Sequence, residues 1–117
     1  MWTVDYYETE NGQKPAREFI SALPIKLEAK AYRDIGLLEQ FGTHLAMPYS
    51  RHIKEGIYEL RIQQAGYKAR VFYFFVIEKK ILLLSGFLKK TRKTPPGEIK
   101  KALNYKADYE RRKCNEL

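Results

Sequence analysis

Three consecutive apolar runs in the second half of the chain predict three β-strands. Branched aliphatic and aromatic residues fill the runs, and turn or charged residues separate them. The predicted strands span about residues 57–63, 68–77 and 81–89. The first half shows other periodicities. Residues 2–8 alternate aromatic and polar positions, which predicts a short strand, whereas residues 15–23 and 24–40 repeat apolar positions at the spacing of amphipathic helices.

Two further segments complete the predicted order of elements. Residues 43–56 indicate a connecting loop with one brief strand around residues 51–54. Thr94 and Pro95 suit the N-cap and the first turn of a terminal helix. This order predicts an α+β fold, an antiparallel sheet with an N-terminal helical hairpin and a C-terminal helix. No shift in composition marks a boundary, so residues 1–117 are expected to form a single domain.

The turn between the first two predicted strands sets their pairing. Ala65-Gly66 fits a two-residue hairpin loop, because glycine readily adopts the positive φ that such a turn needs. Arg61 then faces Arg70 across the pair. Like charges in directly opposed positions destabilise a sheet by roughly 0.2 to 1 kcal/mol. The pair therefore requires a compensating anion, an acidic neighbour such as Glu59, or a functional reason.

The next turn decides which lysine joins the arginines. A tight turn at Lys79-Lys80 places Lys89 beside Arg70. A slip of one residue moves Lys89 to the other face of the sheet and brings Lys90 in instead. Both lysines are therefore candidates.

Positive charge is concentrated in the second half of the chain. Residues 1–58 carry seven Lys and Arg against eight Asp and Glu, residues 59–117 carry fifteen against six, and the formal net charge is +8. Such an excess favours polyanionic partners: RNA, DNA, a membrane surface or an acidic protein. No acidic residue lies between Lys79 and Glu98 to neutralise the LKKTRKT stretch locally.

Several functional classes are disfavoured by composition. The single cysteine, Cys114, cannot form an intramolecular disulfide and suits a reducing compartment. The N-terminus lacks the features of a signal peptide and no apolar run is long enough to span a membrane, so a cytoplasmic location is expected. His44 and His52 lack the spacing of a metal site, and we expect neither a metal nor another cofactor.

The remaining candidate chemistry is phosphate chemistry carried by cations. Cleavage of RNA at the 2′-hydroxyl needs a base, positive charge at the crowded phosphorus, and an acid for the leaving 5′-oxygen. Arg61 and Arg70 are the candidate transition-state stabilisers. Lys89 or Lys90 is the candidate base or acid, because neighbouring positive charges depress the pKa of a lysine. Candidate RNA-binding residues are Lys68, Arg92, Lys93 and His52.

Two side-chain roles and one backbone role stay open at this point. His52 is either an alternative proton carrier or an exposed loop histidine. Tyr58, Tyr67 and Tyr73 could stack on bases, although aromatic residues in strands commonly belong to the core. Backbone N–H groups near Thr94, at the start of the predicted terminal helix, could also contact a phosphate.

The predicted order of elements is accompanied by a resemblance to a known family. The segments YELRI, KARVFYFF and ILLLSGFLKKTRKTPPGEIKKA lie between Ile57 and Ala102. They resemble the phage-derived Gp49-like branch of the RelE/HigB toxin family. The most specific element is the ending FxKKTxKTPxxEIxxA, which runs from Phe87 to Ala102.

The resemblance implies a RelE-like fold and the toxin of a type II toxin–antitoxin module. Such toxins are ribosome-dependent endoribonucleases, or mRNA interferases, that cut mRNA in the decoding site and inhibit translation. The implied partners are mRNA, the ribosome and a helix-turn-helix antitoxin similar to HigA, with no membrane involved. Arg61, Arg70 and the Lys89-Lys90 pair fall on the family's basic active-site positions.

Two other functions stay open beside the nuclease. The broad superfamily includes ParE-like inhibitors of DNA gyrase, which share the fold and lack the nuclease chemistry. A basic nucleic-acid-binding regulator is the other alternative. RelE-type enzymes often place a C-terminal tyrosine in the site, and Tyr105 and Tyr109 are the residues that could take that position.

Overall fold

The computed structural model describes residues 1–115, and its elements follow the predicted order. A 3-10 turn at Gly42–His44 follows the second helix. The strands and helices are β1 Thr3–Tyr6, α1 Pro15–Ser21, α2 Ile25–Phe41, β2 Ser50–Lys54, β3 Ile57–Gln64, β4 Tyr67–Val76, β5 Lys80–Leu88 and α3 Pro96–Asn115. The brief strand expected near residues 51–54 is therefore β2. None of these helices is long and apolar enough to cross a lipid bilayer.

Within residues 1–115 the strands form one mixed sheet in the order β1-β5-β4-β3-β2. The pairs β2–β3, β3–β4 and β4–β5 are antiparallel, as predicted. The exception is β1, which lies parallel to β5, with Thr3 opposite Lys80. The helical hairpin α1–α2 separates β1 from the other strands in the chain, so no turn constrains the direction in which β1 pairs.

Helices cover both faces of the sheet. On one face α1 and α2 contribute Ile20, Leu27 and Leu38, which join β3 and β5 residues such as Leu60 and Leu83 in one buried cluster. On the other face Ala102 of α3 joins a second cluster, which contains Phe72 and Leu84. Strands that are buried on both faces carry near-continuous apolar sequence. This double coverage explains the long apolar runs of β4 and β5.

The β3–β4 hairpin has the predicted turn. Ala65 and Gly66 form the two-residue loop with φ values of 50° and 85°. Positive φ at both loop residues is characteristic of a type I′ turn, whose twist matches that of the strands. Arg61 consequently lies opposite Arg70, so the predicted register is confirmed.

The β4–β5 connection differs from the predicted turn at Lys79-Lys80. The loop consists of residues 77–79 and Val76 pairs with Lys80. The register then shifts between Phe72 and Tyr73, which pair with Ser85 and Leu83 and leave Leu84 of β5 as the extra residue of a bulge. Together these changes move the pairing by two residues, so Arg70 lies opposite Phe87. A shift of two preserves the face to which a side chain points.

Lys89 thus keeps its place on the Arg70 face, although it does not lie directly opposite Arg70. Its backbone N–H donates to the carbonyl of Lys68 at 2.7 Å, which continues the β4–β5 ladder just past the end of β5. Lys90 lies beyond this pairing and is exposed.

Candidate active site

A buried carboxylate lies at the centre of the cationic face. Glu59 of β3 is fully buried, and its Oε1 atom is 3.6 Å from Arg70 Nε and 3.6 Å from Arg51 Nη2. Its other oxygen, Oε2, accepts a hydrogen bond from the Thr94 hydroxyl at 2.7 Å. Glu59 therefore joins β2, β4 and the segment that leads into α3. Of the three alternatives for the opposed arginines, the acidic neighbour Glu59 is present, and it pairs with Arg70 and not with Arg61.

Thr94 does not have the predicted N-cap role. Helix α3 begins at Pro96, and the first turn closes through the N–H of Glu98 donating to the carbonyl of Pro95 at 3.1 Å. The Thr94 side chain is turned to Glu59 instead of to the helix terminus. A hydrogen bond to a buried carboxylate is stronger than one to a neutral backbone group, which gives a reason for this arrangement.

Arg70 forms the floor of the site. Its side chain is 1% exposed, and Nη1 donates to the carbonyl of Ala69 at 3.0 Å. Nε has no hydrogen-bond acceptor among the described residues. Burial lowers the pKa of Arg70, and the charge of Glu59 opposes that shift. An arginine remains protonated at neutral pH despite such a shift. Arg70 therefore supplies permanent positive charge from below the surface.

Arg61 lies directly opposite Arg70 and is more accessible. Its side chain is half-buried, and Nη1 contacts the Met47 sulfur at 3.4 Å. Nε is buried without a hydrogen-bond partner in residues 1–115. No carboxylate of the described chain forms an ion pair with Arg61, because Glu59 lies beside Arg70 and Arg51. Its charge is consequently available to an external anion.

The surroundings of Lys89 lower the pKa of its side chain. Its side chain is half-buried, and its pKa is lowered by burial first and by the charge of Arg70 second. Arg51 and Arg61 act in the same direction, whereas Glu59 opposes them. A lysine with a lowered pKa has a larger neutral population near physiological pH. This is the property that a lysine base requires.

Further cations extend from this cluster into solvent. Lys90, Arg92 and Lys93 follow β5 and are exposed, and Lys68 is exposed on β4 near the hairpin. The Thr91 hydroxyl donates to the carbonyl of Lys93 at 2.8 Å, which shapes this turn. The structure thus brings together Arg61, Arg70 and Lys89 and surrounds them with accessible positive charge.

His52 and the strand tyrosines occupy the other face. His52 pairs with Tyr58 across β2 and β3, and their rings are in edge contact at 5.1 Å. Tyr58 stacks on Tyr73, which is 1% exposed and hydrogen-bonded to the Ser50 hydroxyl. Burial of Tyr73 leaves no ring surface for a base. The fold does not bring His52 to the cationic cluster, and Tyr67 alone of the three tyrosines is exposed.

The two C-terminal tyrosines pack along α3. Tyr105 stacks on Tyr7 with ring centroids 4.9 Å apart, and Tyr109 meets the edge of Phe74 at 5.8 Å. The Tyr7 hydroxyl donates to Asp108 at 2.5 Å on the same side of the helix. These contacts anchor α3 to the sheet, and the structure does not place either α3 tyrosine at the arginine pair.

Three side chains of the site are not among the candidates from sequence. The sequence indicates Glu59 only as a neutralising neighbour, indicates Thr94 as a cap and a source of backbone N–H groups, and gives no functional signal for Arg51. Arg51 reaches the site because it pairs with Glu59 across β2 and β3. The brief β2 strand was predicted, but its register with β3 contains an irregularity between His52 and Lys54 that no sequence signal specifies. Across residues 1–115, no group of three or more His, Cys, Asp or Glu side chains is arranged to hold a metal ion.

One protein-family model matches this chain. The family is described as Phage derived protein Gp49-like (DUF891), and the match spans residues 18–107. The chain belongs to this family. Gp49-like proteins are a RelE/HigB-type toxin family. No curated protein matches the sequence as a relative.

The family match contains every residue of the candidate site in this Gp49-like protein. Arg51, Glu59, Arg61, Arg70, Lys89 and Thr94 all lie inside residues 18–107. The architecture of the Gp49-like chain, a five-stranded sheet with helices on both faces within the described residues, is consistent with a RelE-like fold. The family match therefore assigns the chain to a toxin family, and the fold is consistent with that assignment.

Proposed function

We propose that this Gp49-like protein is the toxin of a type II toxin–antitoxin pair and an endoribonuclease that cuts ribosome-bound mRNA without a metal cofactor. The observation that carries the proposal is the juxtaposition of Arg61 and Arg70 across the β3–β4 pair, with Lys89 on the same face. Glu59 compensates the charge of Arg70, whereas Arg61 forms no ion pair with a carboxylate of the described residues and can bind a further anion. A scissile phosphate is the anion that the proposed reaction supplies.

The proposed reaction is a transesterification within RNA. The 2′-oxygen attacks the adjacent phosphorus, and the bond from phosphorus to the 5′-oxygen breaks. A base takes the proton of the 2′-hydroxyl, and an acid returns a proton to the departing 5′-oxygen. The products are a 2′,3′-cyclic phosphate and a 5′-hydroxyl.

Each cation has a distinct role in this mechanism. Neutral Lys89 acts as the base, which its lowered pKa supports. Arg61, being accessible, binds the phosphate directly, and buried Arg70 stabilises the added negative charge of the transition state from below. Lys90 is the adjacent candidate for the acid. Fixed positive charge in a partly desolvated site stabilises a transition state more strongly than charge in water.

The exposed cations bind the RNA on either side of the cut. Lys68, Arg92 and Lys93 carry no carboxylate partner among the described residues, so they can contact backbone phosphates. Phosphate contacts of this kind position a strand without reading its sequence. Tyr67 is exposed but points to the opposite face of β4 from Lys68, so stacking on its ring requires RNA that passes around the β3–β4 turn. Codon context would then be supplied by the ribosome.

An antitoxin resembling HigA, with a helix-turn-helix domain, is the proposed partner that silences the toxin in the cytoplasm. Its proposed surface is the helical hairpin together with α3. Ile25 and Tyr32 of α2 are 83% and 46% exposed, and both lie away from the buried stripe of that helix. Hydrogen exchange tests this surface: the helices should gain protection in the complex with the neighbouring antitoxin, and unchanged exchange there would place the contact elsewhere.

The decisive experiment compares the wild type with Arg70→Ala and Arg61→Ala under tight induction, with 5′ ends of cellular mRNA mapped by primer extension. Growth arrest with new cleavage inside translated codons, lost in both variants, is the expected result. Arg33→Ala is the matched control, because Arg33 is an exposed arginine on α2 outside the site. Circular dichroism of each variant verifies folding.

Two other outcomes select other functions. Arrest without mRNA cleavage indicates a ParE-like inhibitor of gyrase or of another target. No arrest, combined with salt-sensitive binding of free RNA or DNA, indicates a nucleic-acid-binding regulator. Either outcome overturns the nuclease proposal.

A further inference from the structure

Glu59 is an unusual residue for its position in the sheet. It is fully buried on the face covered by α3, directly opposite Phe72 and close to the apolar cluster that contains Phe72 and Phe87. A buried carboxylate is costly unless charges and hydrogen bonds compensate it. An apolar residue at this position would extend the core without that cost. A carboxylate is tolerated here because it compensates the buried charge of Arg70, so its role is tied to the cationic cluster.

The groups around Glu59 compensate the cost of burying its charge only in part. Oε1 lies 3.6 Å from both Arg70 Nε and Arg51 Nη2, which is too far for a good hydrogen bond. Oε1 has no hydrogen-bond partner among the described residues, and neither has Arg70 Nε. The carboxylate thus holds two guanidinium groups by charge and leaves the Nε–H group of Arg70 without an acceptor among the described residues. Such an arrangement suits a cationic site that binds a further anion, such as the phosphate of an RNA.

Glu59 also controls the segment that carries the lysines. Residues 89–95 connect β5 to α3, and Thr94 near the end of this segment donates to Glu59 Oε2 at 2.7 Å. The start of the segment is held by Lys89, whose N–H donates to the Lys68 carbonyl at 2.7 Å. Fixing both ends limits the positions that the Lys89 side chain can reach relative to Arg70.

We propose that Glu59 is a positioning residue of the phosphate site: it orients Arg70 and Arg51 and, through Thr94, fixes the segment that presents Lys89. This inference rests on the proposed nuclease function and adds to it a residue that does not itself touch the substrate, because Glu59 is fully buried. Its carboxylate also limits the repulsion among the cations, so that they can converge before RNA binds.

The charge of Glu59 has a measurable consequence at Lys89. The charged groups that act on Lys89 are Arg70 of β4, Arg61 and Glu59 of β3, and Arg51 of β2. Of these, only Glu59 raises the pKa of Lys89. Replacement of Glu59 by glutamine removes that contribution and leaves the cations unopposed. The pKa of Lys89 must then fall further.

The test uses three variants of the full chain. Glu59→Gln removes the charge and retains an acceptor for Thr94. Thr94→Val removes the tether and retains the shape, and Thr94→Ser restores the hydroxyl. Glu78→Gln is the matched control, because Glu78 is an exposed glutamate at the far end of β4, in the β4–β5 loop. Thermal unfolding of each variant verifies the fold.

Two measurements distinguish a positioning role of Glu59 from a role in fold stability alone. The first is single-turnover cleavage of ribosome-bound mRNA. A fall of about tenfold or more in the maximal single-turnover rate constant is expected for Glu59→Gln and Thr94→Val, with the half-saturating enzyme concentration little changed. Thr94→Ser should recover activity to within about twofold of the wild type. The second is an NMR titration of the Lys89 side chain, assigned with Lys89→Arg, in which Glu59→Gln lowers the Lys89 pKa.

The outcomes distinguish this inference from the proposed function. A folded Glu59→Gln protein with the wild-type single-turnover rate constant and an unchanged Lys89 pKa would overturn the positioning role. If Glu59→Gln fails to fold, equal activity of Thr94→Val and Thr94→Ser has the same meaning. If the wild type cleaves no RNA, the nuclease proposal fails, whereas the NMR titration still decides whether Glu59 controls Lys89.

Discussion

Arg70 and Glu59 are both buried, at 1% and 0% exposure, yet Arg70 Nε lies 3.6 Å from Glu59 Oε1. At that separation the two groups attract as charges without a well-formed hydrogen bond. A pair whose role was purely structural would be expected to close to hydrogen-bond distance, because a buried pair stabilises a fold only with good geometry. The open geometry instead leaves the Arg70 Nε–H group without a hydrogen-bond acceptor among the described residues, beside the accessible Arg61.

The variant Arg61→Ala tests whether the Arg61 side chain acts on the substrate. We expect Arg61→Ala to lower kcat/KM for mRNA cleavage by about 10- to 100-fold, the loss of one hydrogen bond to a charged group. The loss should exceed that of Arg33→Ala, which removes the same charge from the exposed side of α2. Equal effects of the two variants would show that only net charge matters.

The pH dependence of cleavage tests Lys89. Burial and the charges of Arg70, Arg51 and Arg61 lower its pKa below the usual 10.5, against the opposing effect of Glu59. A base acts in its neutral form, so the rate should rise with pH and level off below the usual lysine range. Lys89→Arg should lose this limb and reduce the rate by about 100-fold or more. A profile unchanged in Lys89→Arg would exclude Lys89 as the base.

Ala65 offers a test of the hairpin turn. Its φ of 50° is a left-handed conformation that alanine adopts at a cost of roughly 1 kcal/mol, whereas asparagine tolerates it better. We expect Ala65→Asn to raise the free energy of unfolding by about 0.5 to 1 kcal/mol in urea denaturation. Gly66→Ala, at a φ of 85°, should lower it by about 1 kcal/mol or more. Destabilisation by Ala65→Asn would contradict the assigned turn.

The raised pKa of Tyr73 predicts that the protein loses stability at alkaline pH. Burial raises its pKa to about 12, from 10.0 in the unfolded chain. The unfolded tyrosine therefore ionises first as pH rises. Its contribution to stability is complete below pH 10 and is lost as pH approaches 12. Urea denaturation across this range should show a falling free energy of unfolding.

The variant Tyr73→Phe separates Tyr73 from Tyr7, whose pKa is also raised to about 12 by burial and by its hydrogen bond to Asp108. We expect Tyr73→Phe to cost about 0.5 to 1.5 kcal/mol at neutral pH, because the Ser50 hydroxyl loses its partner. Its alkaline loss should be smaller than that of the wild type, and the remaining loss is expected from Tyr7 together with Tyr6, whose pKa is also raised by burial. An identical alkaline slope in both proteins would contradict the assignment to Tyr73.

The family and the order of elements were predictable from the sequence, but parts of the site were not. Arg61 and Arg70 were paired correctly because a two-residue glycine turn fixes the register of its own hairpin. The predicted β4–β5 turn is wrong, but the predicted face of Lys89 is correct. The longer loop and the bulge together shift the pairing by two residues, and an even shift leaves each side chain on the same face. His52 was a candidate from residue type alone, and the pairing of β2 sets it on the other face.

The sequence by itself determined what depends on neighbours along the chain: the strand and helix segments, the β3–β4 turn, the opposed arginines and the basic stretch after β5. Periodicity and turn geometry act over a few residues, so they can be read locally. Only the tertiary structure decided that Arg51, Glu59 and Thr94 meet, because these side chains come from β2, β3 and the approach to α3. It also decided that β1 lies parallel to β5, since long-range pairing is set by packing of the whole core and not by any local signal.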